Sequence, residues 1–263
     1  MSDSWDVTRV RSFVALGDSF TEGLNDPYPA NGAEERYRGW ADRVAERLAG
    51  INPELSYANL AVRGKLLRQI VTGQVPRACE LKPDLVTFCG GGNDVLRPSG
   101  DPDELARIFE VGVRRLRATG AQVLMFTGFD TRLVPVLRRL RGRIATYNMN
   151  LRAIADRHDC LLVDQWSMEA LQDWRAWGED RLHLSSEGHR RMALRVCEVL
   201  GVPVDGDWRE PFPPEAPKAW SERRREDIAW AREFLAPWVN RRLRGRSSGD
   251  GRVAKDSELR RVE

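Results

Sequence analysis

The feature that most constrains this chain is an alternation. Five short apolar runs rich in β-branched or aromatic residues recur along it: SFVALG (12–17), SYANLA (56–61), DLVTFCG (84–90), AQVLMFTG (121–128) and CLLVD (160–164). Between them, apolar residues return every three or four positions, as in Trp40, Val44 and Leu48, or Leu105, Ile108, Val111 and Leu116. Strands separated by helices run parallel with right-handed crossovers. The predicted fold is therefore α/β: a three-layer α/β/α sandwich around a five-stranded, parallel, doubly wound sheet of the flavodoxin-like kind. Ligands of such sheets bind beyond the carboxyl ends of the strands, so the loops leaving each strand are where chemistry is expected.

The length, 263 residues, supplies a core that needs neither disulfide nor metal to fold. Charge interrupts the apolar runs every few residues, and none approaches the roughly 20 apolar residues of a membrane span. The opening MSDSWDVTRVRSF lacks the apolar centre of a secretory signal, so the expected compartment is the cytoplasm. Cys79, Cys89, Cys160 and Cys197 form no CxxC pair and sit in apolar runs, which reads as buried thiols in a reducing environment.

Charge divides the chain unevenly. Residues 207–263 hold 14 basic and 11 acidic side chains, whereas 1–206 hold 28 of each, so the net charge of +3 belongs entirely to the C-terminal part. That surplus is too small to argue for nucleic acid, and no nucleic-acid partner is expected. Five of the 14 prolines fall in 203–217, which reads as a linker after a catalytic body spanning 1–202. Beyond it, 218–244 is expected to form an amphipathic helix, with Ile228, Ala231, Leu235 and Trp238 on one face, docked on the body. The polar, glycine-rich 245–263 is expected to be a disordered tail.

The loop leaving the first strand reads Gly17-Asp18-Ser19-Phe20. A serine between a strand and a helix start exposes its hydroxyl at the crevice, with its own N–H and the helix dipole beside it. As a nucleophile it needs a base, and the chain has three histidines. His183 stands in a polar turn three residues after Asp180, close enough for the carboxylate to fix the imidazole tautomer. Oxyanion donors are available at two further strand ends: the N–H of Gly64, after the second strand, and the amide of Asn93, after Gly90-Gly91-Gly92. The N–H of Ser19 completes a set of three. His158 reads as satisfying helix-end carbonyls and His189 as structural, while Asp18 and Asp94 read as loop-shaping acceptors.

These blocks, GDS at 17–19, Gly64, GxND at 91–94 and DxxH at 180–183, occur in order across roughly residues 10–200, and the chain resembles the SGNH, or GDSL-type, serine esterases and lipases. Ser19 matches the family nucleophile, Asp180 and His183 the other triad members, and Ser19, Gly64 and Asn93 the oxyanion hole. Phe20 stands where the family name implies leucine. The segment from Asn25 to Arg38 is long for a minimal member and is expected at the active-site rim.

The resemblance implies a serine hydrolase of carboxylic esters with no cofactor and no metal, acting on a small acyl ester. The same triad serves sugar O-deacetylases, thioesterases, lysophospholipases and acyltransferases. A reading from another class makes the chain a non-catalytic scaffold whose basic tail contacts RNA, anionic lipid or an acidic partner. Leu133 and Val134, after the fourth strand, and Trp166 and Trp177, before the catalytic turn, are the expected substrate contacts; the tryptophans serve equally well as core filling. Ser247 in GRSSG fits the GxSxG pattern of a different hydrolase fold, but no strand precedes it and it is set aside.

Overall fold

A computed structural model describes residues 5–28, 36–134, 137–216, 219–237, 240 and 247–262. The five apolar runs are strands: β1 (Ser12–Leu16), β2 (Ser56–Asn59), β3 (Leu85–Phe88), β4 (Gln122–Phe126) and β5 (Leu161–Val163). They lie parallel in the order β5-β4-β3-β1-β2, with Phe13 opposite both Tyr57 and Leu85. The order reverses between β1 and β3, and that switch point opens the crevice.

Helices fill the connections. α1 (Ser19–Glu22) and α2 (Gly39–Ile51) follow β1, and α3 (Leu67–Gln69) and α4 (Val75–Leu81), joined by one π-helical stretch, follow β2. α5 (Gly92–Val95) and α6 (Pro102–Arg117) follow β3, α7 (Arg141–Arg157) follows β4 and α8 (Ser186–Leu200) follows β5. The pleat sends alternate side chains to opposite cores. Phe13, Ala15, Leu124 and Phe126 pack against α2 and α8, and Val14, Leu16, Val123 and Met125 against α4, α6 and α7.

The C-terminal part departs from expectation. α9 (Trp220–Trp230) is followed by a π-helical turn and, beyond residues 241–246, by a sixth strand, β6 (Asp256–Arg261), antiparallel to β2. The sheet is therefore mixed and six-stranded rather than purely parallel and five-stranded. Residues 247–262 are ordered, not a disordered tail. Their polar composition is compatible with a strand because β6 lies on the sheet edge, where most of its side chains face water and the ladder to β2 satisfies its backbone. Lys255, just before β6, is a largely enclosed cation bound by Asp42 Oδ2 at 2.8 Å and by the carbonyls of Glu22, Tyr37 and Arg38.

The linker is likewise fastened. Arg191 donates to the carbonyls of Trp208 and Glu210 and stacks on Phe212, while Trp208 is buried against α8 and donates to Glu198. α9 is not amphipathic as expected over 218–244: Trp220 and Ile228 are 68 % and 45 % exposed. Within that range 218, 238–239 and 241–244 lie outside the described residues, so Trp238 does too, as does the side chain of Leu235. No described helix is long and apolar enough to cross a membrane.

Candidate active site

Ser19 is the first residue of α1, and Asp18 caps that helix by accepting from the Phe20 N–H at 3.1 Å. The Gly17 backbone is held from below by Gln74, whose side chain accepts from its N–H and donates to its carbonyl. A Cβ at Gly17 would lie 2.9 Å from Thr21 Cβ and 3.0 Å from the Cys89 carbonyl, so this turn is too close to its neighbours for another residue.

His183 arrives from the opposite end of the sequence. The segment between Trp177 and Leu184, which pair as an isolated antiparallel bridge, closes by Gly178 N–H donating to the His183 carbonyl at 2.8 Å. Within it, one Asp180 oxygen accepts from the N–H groups of Leu182 and His183, both at 3.0 Å, and the other lies 2.6 Å from His183 Nδ1. His183 Nε2 lies 2.9 Å from Ser19 Oγ. Burial alone would raise the Asp180 carboxyl, but the hydrogen bond and charge of His183 and those two N–H groups outweigh it and hold the acid at about 2. A carboxylate ionised at all ordinary pH thus fixes Nδ1–H, leaving Nε2 facing the serine.

Asn93 reaches the same crevice from the switch point. Its amide nitrogen lies 3.1 Å from Asp18 Oδ2 and 3.2 Å from the Lys65 carbonyl, joining the loops after β1, β2 and β3. Gly91 has φ +94°, and a Cβ there would lie 2.5 Å from Tyr147 Oη, so the approach of this loop to α7 demands glycine. Asp18 is buried at the cavity wall, and that burial pushes its carboxyl up to about 6, against the pull of the Phe20 N–H and of His183. Asp94 accepts from the Leu67 N–H at the start of α3. Both acids shape loops, as their positions suggested. Gly64, φ +72°, lies beside Lys65 and packs against the C-terminal turn, a neighbour that sequence reasoning missed.

Under Ser19 and His183 lies a cavity of about 180 Å³, with largely apolar walls. Phe20, Phe126 and Phe129 form one side and Ile144, Tyr147 and Leu151 of α7 another. Trp177 lines it as expected, its ring against Phe129 and its indole N–H bonded to the Leu171 carbonyl. Leu133, Val134 and Trp166 are not among the described residues that line it. Leu133 is 54 % exposed, and Trp166 stacks under Arg141 instead. The loop after β4 does contribute, through Thr131 and Leu137. The contribution of α7 was missed, although Ile144, Tyr147 and Leu151 fall on one helical face.

His189 is buried on α8, its Nδ1 accepting from the Trp40 N–H and its Nε2 donating to the Leu24 carbonyl; burial pushes it down to about 4, so it is neutral and structural. His158 pairs with Glu110 at 2.8 Å rather than with helix-end carbonyls. Ser185 caps α8. Of the cysteines, all free, only Cys197 is fully buried. The rim segment from Asn25 to Arg38 is described only at its ends: Asp26 pairs with Arg43 and Arg38 with Glu46, and 29–35 lie outside the described residues.

Solved structures share this arrangement of strands and helices. An α/β hydrolase, LAE5, from the metagenome of Lake Arreo, Spain, superposes with a TM-score of 0.60 at 24 % identity, covering 75 % of this chain and 99 % of its own. Axe2, an acetylxylan esterase from Geobacillus stearothermophilus, gives 0.58 at 21 %, covering 76 % and 96 %, and TesA gives 0.56 at 23 %, covering 72 % and 97 %. None of the curated proteins compared matches the chain. The model of the GDSL-like lipase/acylhydrolase family matches residues 15–191, a segment that runs from β1 through the Asp180–His183 turn into α8. The chain therefore belongs to the GDSL-like lipase/acylhydrolase family and is a hydrolase of ester bonds.

Proposed function

We propose that the protein cleaves carboxylic esters of apolar acyl chains through an acyl-enzyme on Ser19. The observation that carries this is the continuous relay Asp180–His183–Ser19, at 2.6 and 2.9 Å, opening onto the apolar cavity. His183 Nε2 takes the Ser19 proton as Oγ bonds to the ester carbonyl carbon. The carbonyl oxygen becomes an oxyanion, held by the N–H of Ser19, the N–H of Gly64 and the amide of Asn93, one of whose protons exchanges its present acceptor for the substrate. Collapse breaks the bond to the alcohol, which leaves with the proton from His183. Water then gives a proton to His183, attacks the acyl carbon and releases the carboxylic acid and free Ser19. Asp180 stays ionised throughout.

The walls favour a chain longer than acetyl. Away from Asp18, Asn93 and His183, the polar side chains of the lining are Thr127, Thr131, Gln165 and the neutral His189, most of the remaining side chains are aromatic or aliphatic, and each buried methylene contributes about 0.8 kcal/mol of binding. A sugar acetyl ester would leave most of that surface unused. The experiment is hydrolysis of p-nitrophenyl acetate, butyrate, hexanoate and octanoate by the purified protein and by Ser19→Ala. Higher kcat/KM for butyrate or longer esters, abolished in the variant, is expected. Equal turnover by both proteins, or none by the wild type on any ester, would sink the proposal.

A further inference from the structure

The family match ends at residue 191, yet the chain beyond it reaches back to two catalytic loops. Trp230, at the end of α9, donates its indole N–H to the Asp180 carbonyl at 2.9 Å. Asp227, one turn earlier, pairs with Arg181 at 2.5 Å, and the Arg181 guanidinium lies between the rings of Trp174 and Trp230, 5.6 and 5.2 Å from their centroids. Arg181 is itself in the left-handed region, φ +53°, a conformation that costs an ordinary side chain about 1 kcal/mol and persists only when neighbours hold it. Asp180 and His183 flank it in the same turn.

On the other side of the crevice, the turn at 247–251 seats on the loop after β2. A Cβ at Gly64 would overlap Ser247 Oγ, and a Cβ at Gly249 would overlap the Arg63 carbonyl. The two glycines interlock. The Ser247–Asp250 turn is closed by its own bonds, the Ser247 N–H to the Asp250 carboxylate at 2.8 Å and the Gly249 N–H to Ser247 Oγ at 3.2 Å. β6 and Lys255 then fix it to the body.

We infer that the C-terminal segment is a clamp for catalysis: Trp230 and Asp227 position the turn bearing Asp180 and His183, and the Ser247–Gly249 turn positions the loop bearing Gly64. None of these four residues touches the reacting atoms; they act through the groups that do. The clamp rests on the reading of Ser19, His183 and Asp180 as nucleophile, base and orienting acid. Its energetic basis is geometric, because a displacement of about 1 Å in a catalytic group costs on the order of 100-fold in rate.

Trp230→Phe keeps an aromatic ring against Arg181 while removing the N–H donor together with part of the indole. In the full-length chain it is expected to lower kcat on p-nitrophenyl butyrate about tenfold and to slow labelling of Ser19 by a fluorophosphonate equally, with KM unchanged. Asp227→Ala, at an exposed position, is expected to act in the same direction by a few-fold and guards against loss of folding in the first variant. Gly249→Ala is expected to lower kcat and the fluorophosphonate labelling rate by at least tenfold, because the phosphoryl oxygen uses the same N–H donors as the ester oxyanion. Wild-type kcat and labelling rates in folded Trp230→Phe and Asp227→Ala overturn the clamp at the acid–base turn, and wild-type kcat in Gly249→Ala overturns it at the Gly64 loop. Absence of labelling in the wild type itself overturns the reading of Ser19 as nucleophile, and the clamp with it.

Discussion

Ser19 Oγ and His183 Nε2 lie 2.9 Å apart although 164 residues separate them in the chain. The first stands at the end of the central strand and the second in the turn before the last body helix, so the contact exists only because the doubly wound sheet brings both ends of the body to one crevice. Disturbing that contact through Asp180, which holds the far side of the His183 ring, should affect chemistry more than folding. Asp180→Asn keeps the shape of the side chain but exchanges its charge for an amide, which no longer selects the Nδ1–H tautomer. The expected loss is about 10³–10⁴-fold in kcat, read by steady-state kinetics, and, because the folded protein holds this carboxyl at about 2, up to about 2 kcal/mol of stability at neutral pH, read by urea denaturation.

Much of this site was legible before any coordinates. Strand positions followed from β-branched runs, and the meeting of Ser19, His183 and Asp180 from a serine at the end of β1 and an aspartate three residues before a histidine in a polar turn, because both depend on local pattern. β6 was not legible: DSELRR at an edge needs only one partner strand and carries charge on its wet side, so it lacks the apolar signature of a buried strand. The cavity walls were half legible for a related reason. Trp177 lies close to the Asp180–His183 turn in sequence, but Ile144, Tyr147 and Leu151 reach the cavity through the packing of α7 on the sheet, which no local pattern specifies.

The cavity walls set a second expectation. Ile144→Trp places a larger ring where the distal acyl carbons would lie. Each excluded methylene costs about 1 kcal/mol of discrimination, so kcat/KM for octanoate should fall at least tenfold while that for acetate changes little. A chain-length series on the variant checks this; a uniform fall across all esters would point to a distorted site rather than a shortened one.

Asp18 gives a pH signature. Its carboxyl is held at about 6 in the folded protein against about 4 in an unfolded chain, so the protonated form is favoured by folding. That contribution is fully present below about pH 4 and is lost as pH rises through 6, a change of about 3 kcal/mol. Asp18→Asn does not titrate. The stability of wild type relative to this variant should therefore fall between pH 4 and 7.5 in urea unfolding at each pH, and a flat or rising difference would show that the carboxyl is not enclosed.

Gly91 offers a test of how the Asn93 loop is shaped. Its φ of +94° disfavours any side chain, and an added methyl would meet the Tyr147 hydroxyl and ring. Gly91→Ala should cost about 2–3 kcal/mol through strain and overpacking, and should lower kcat because Asn93 lies two residues on. Tyr147→Phe removes the hydroxyl that crowds this position, so the double variant is expected to recover part of the stability.

The anchor of the C-terminal segment is open to the same treatment. Lys255 Nζ contacts three carbonyls and Asp42 in a buried site, where the ammonium offsets the cost of keeping the Asp42 carboxylate out of water. Burial raises the Asp42 carboxyl, and Lys255 together with the hydroxyls of Tyr57 and Tyr28 pulls it down. Lys255→Met takes away the cation and leaves an uncompensated acid, at an expected cost of about 3–5 kcal/mol by denaturant unfolding at neutral pH. Adding Asp42→Asn removes the stranded charge, so the double variant should be more stable than Lys255→Met alone even though it has lost both ends of the pair. If the two losses simply add, the lysine holds the segment through the carbonyls of Glu22, Tyr37 and Arg38, and the ion pair contributes nothing of its own.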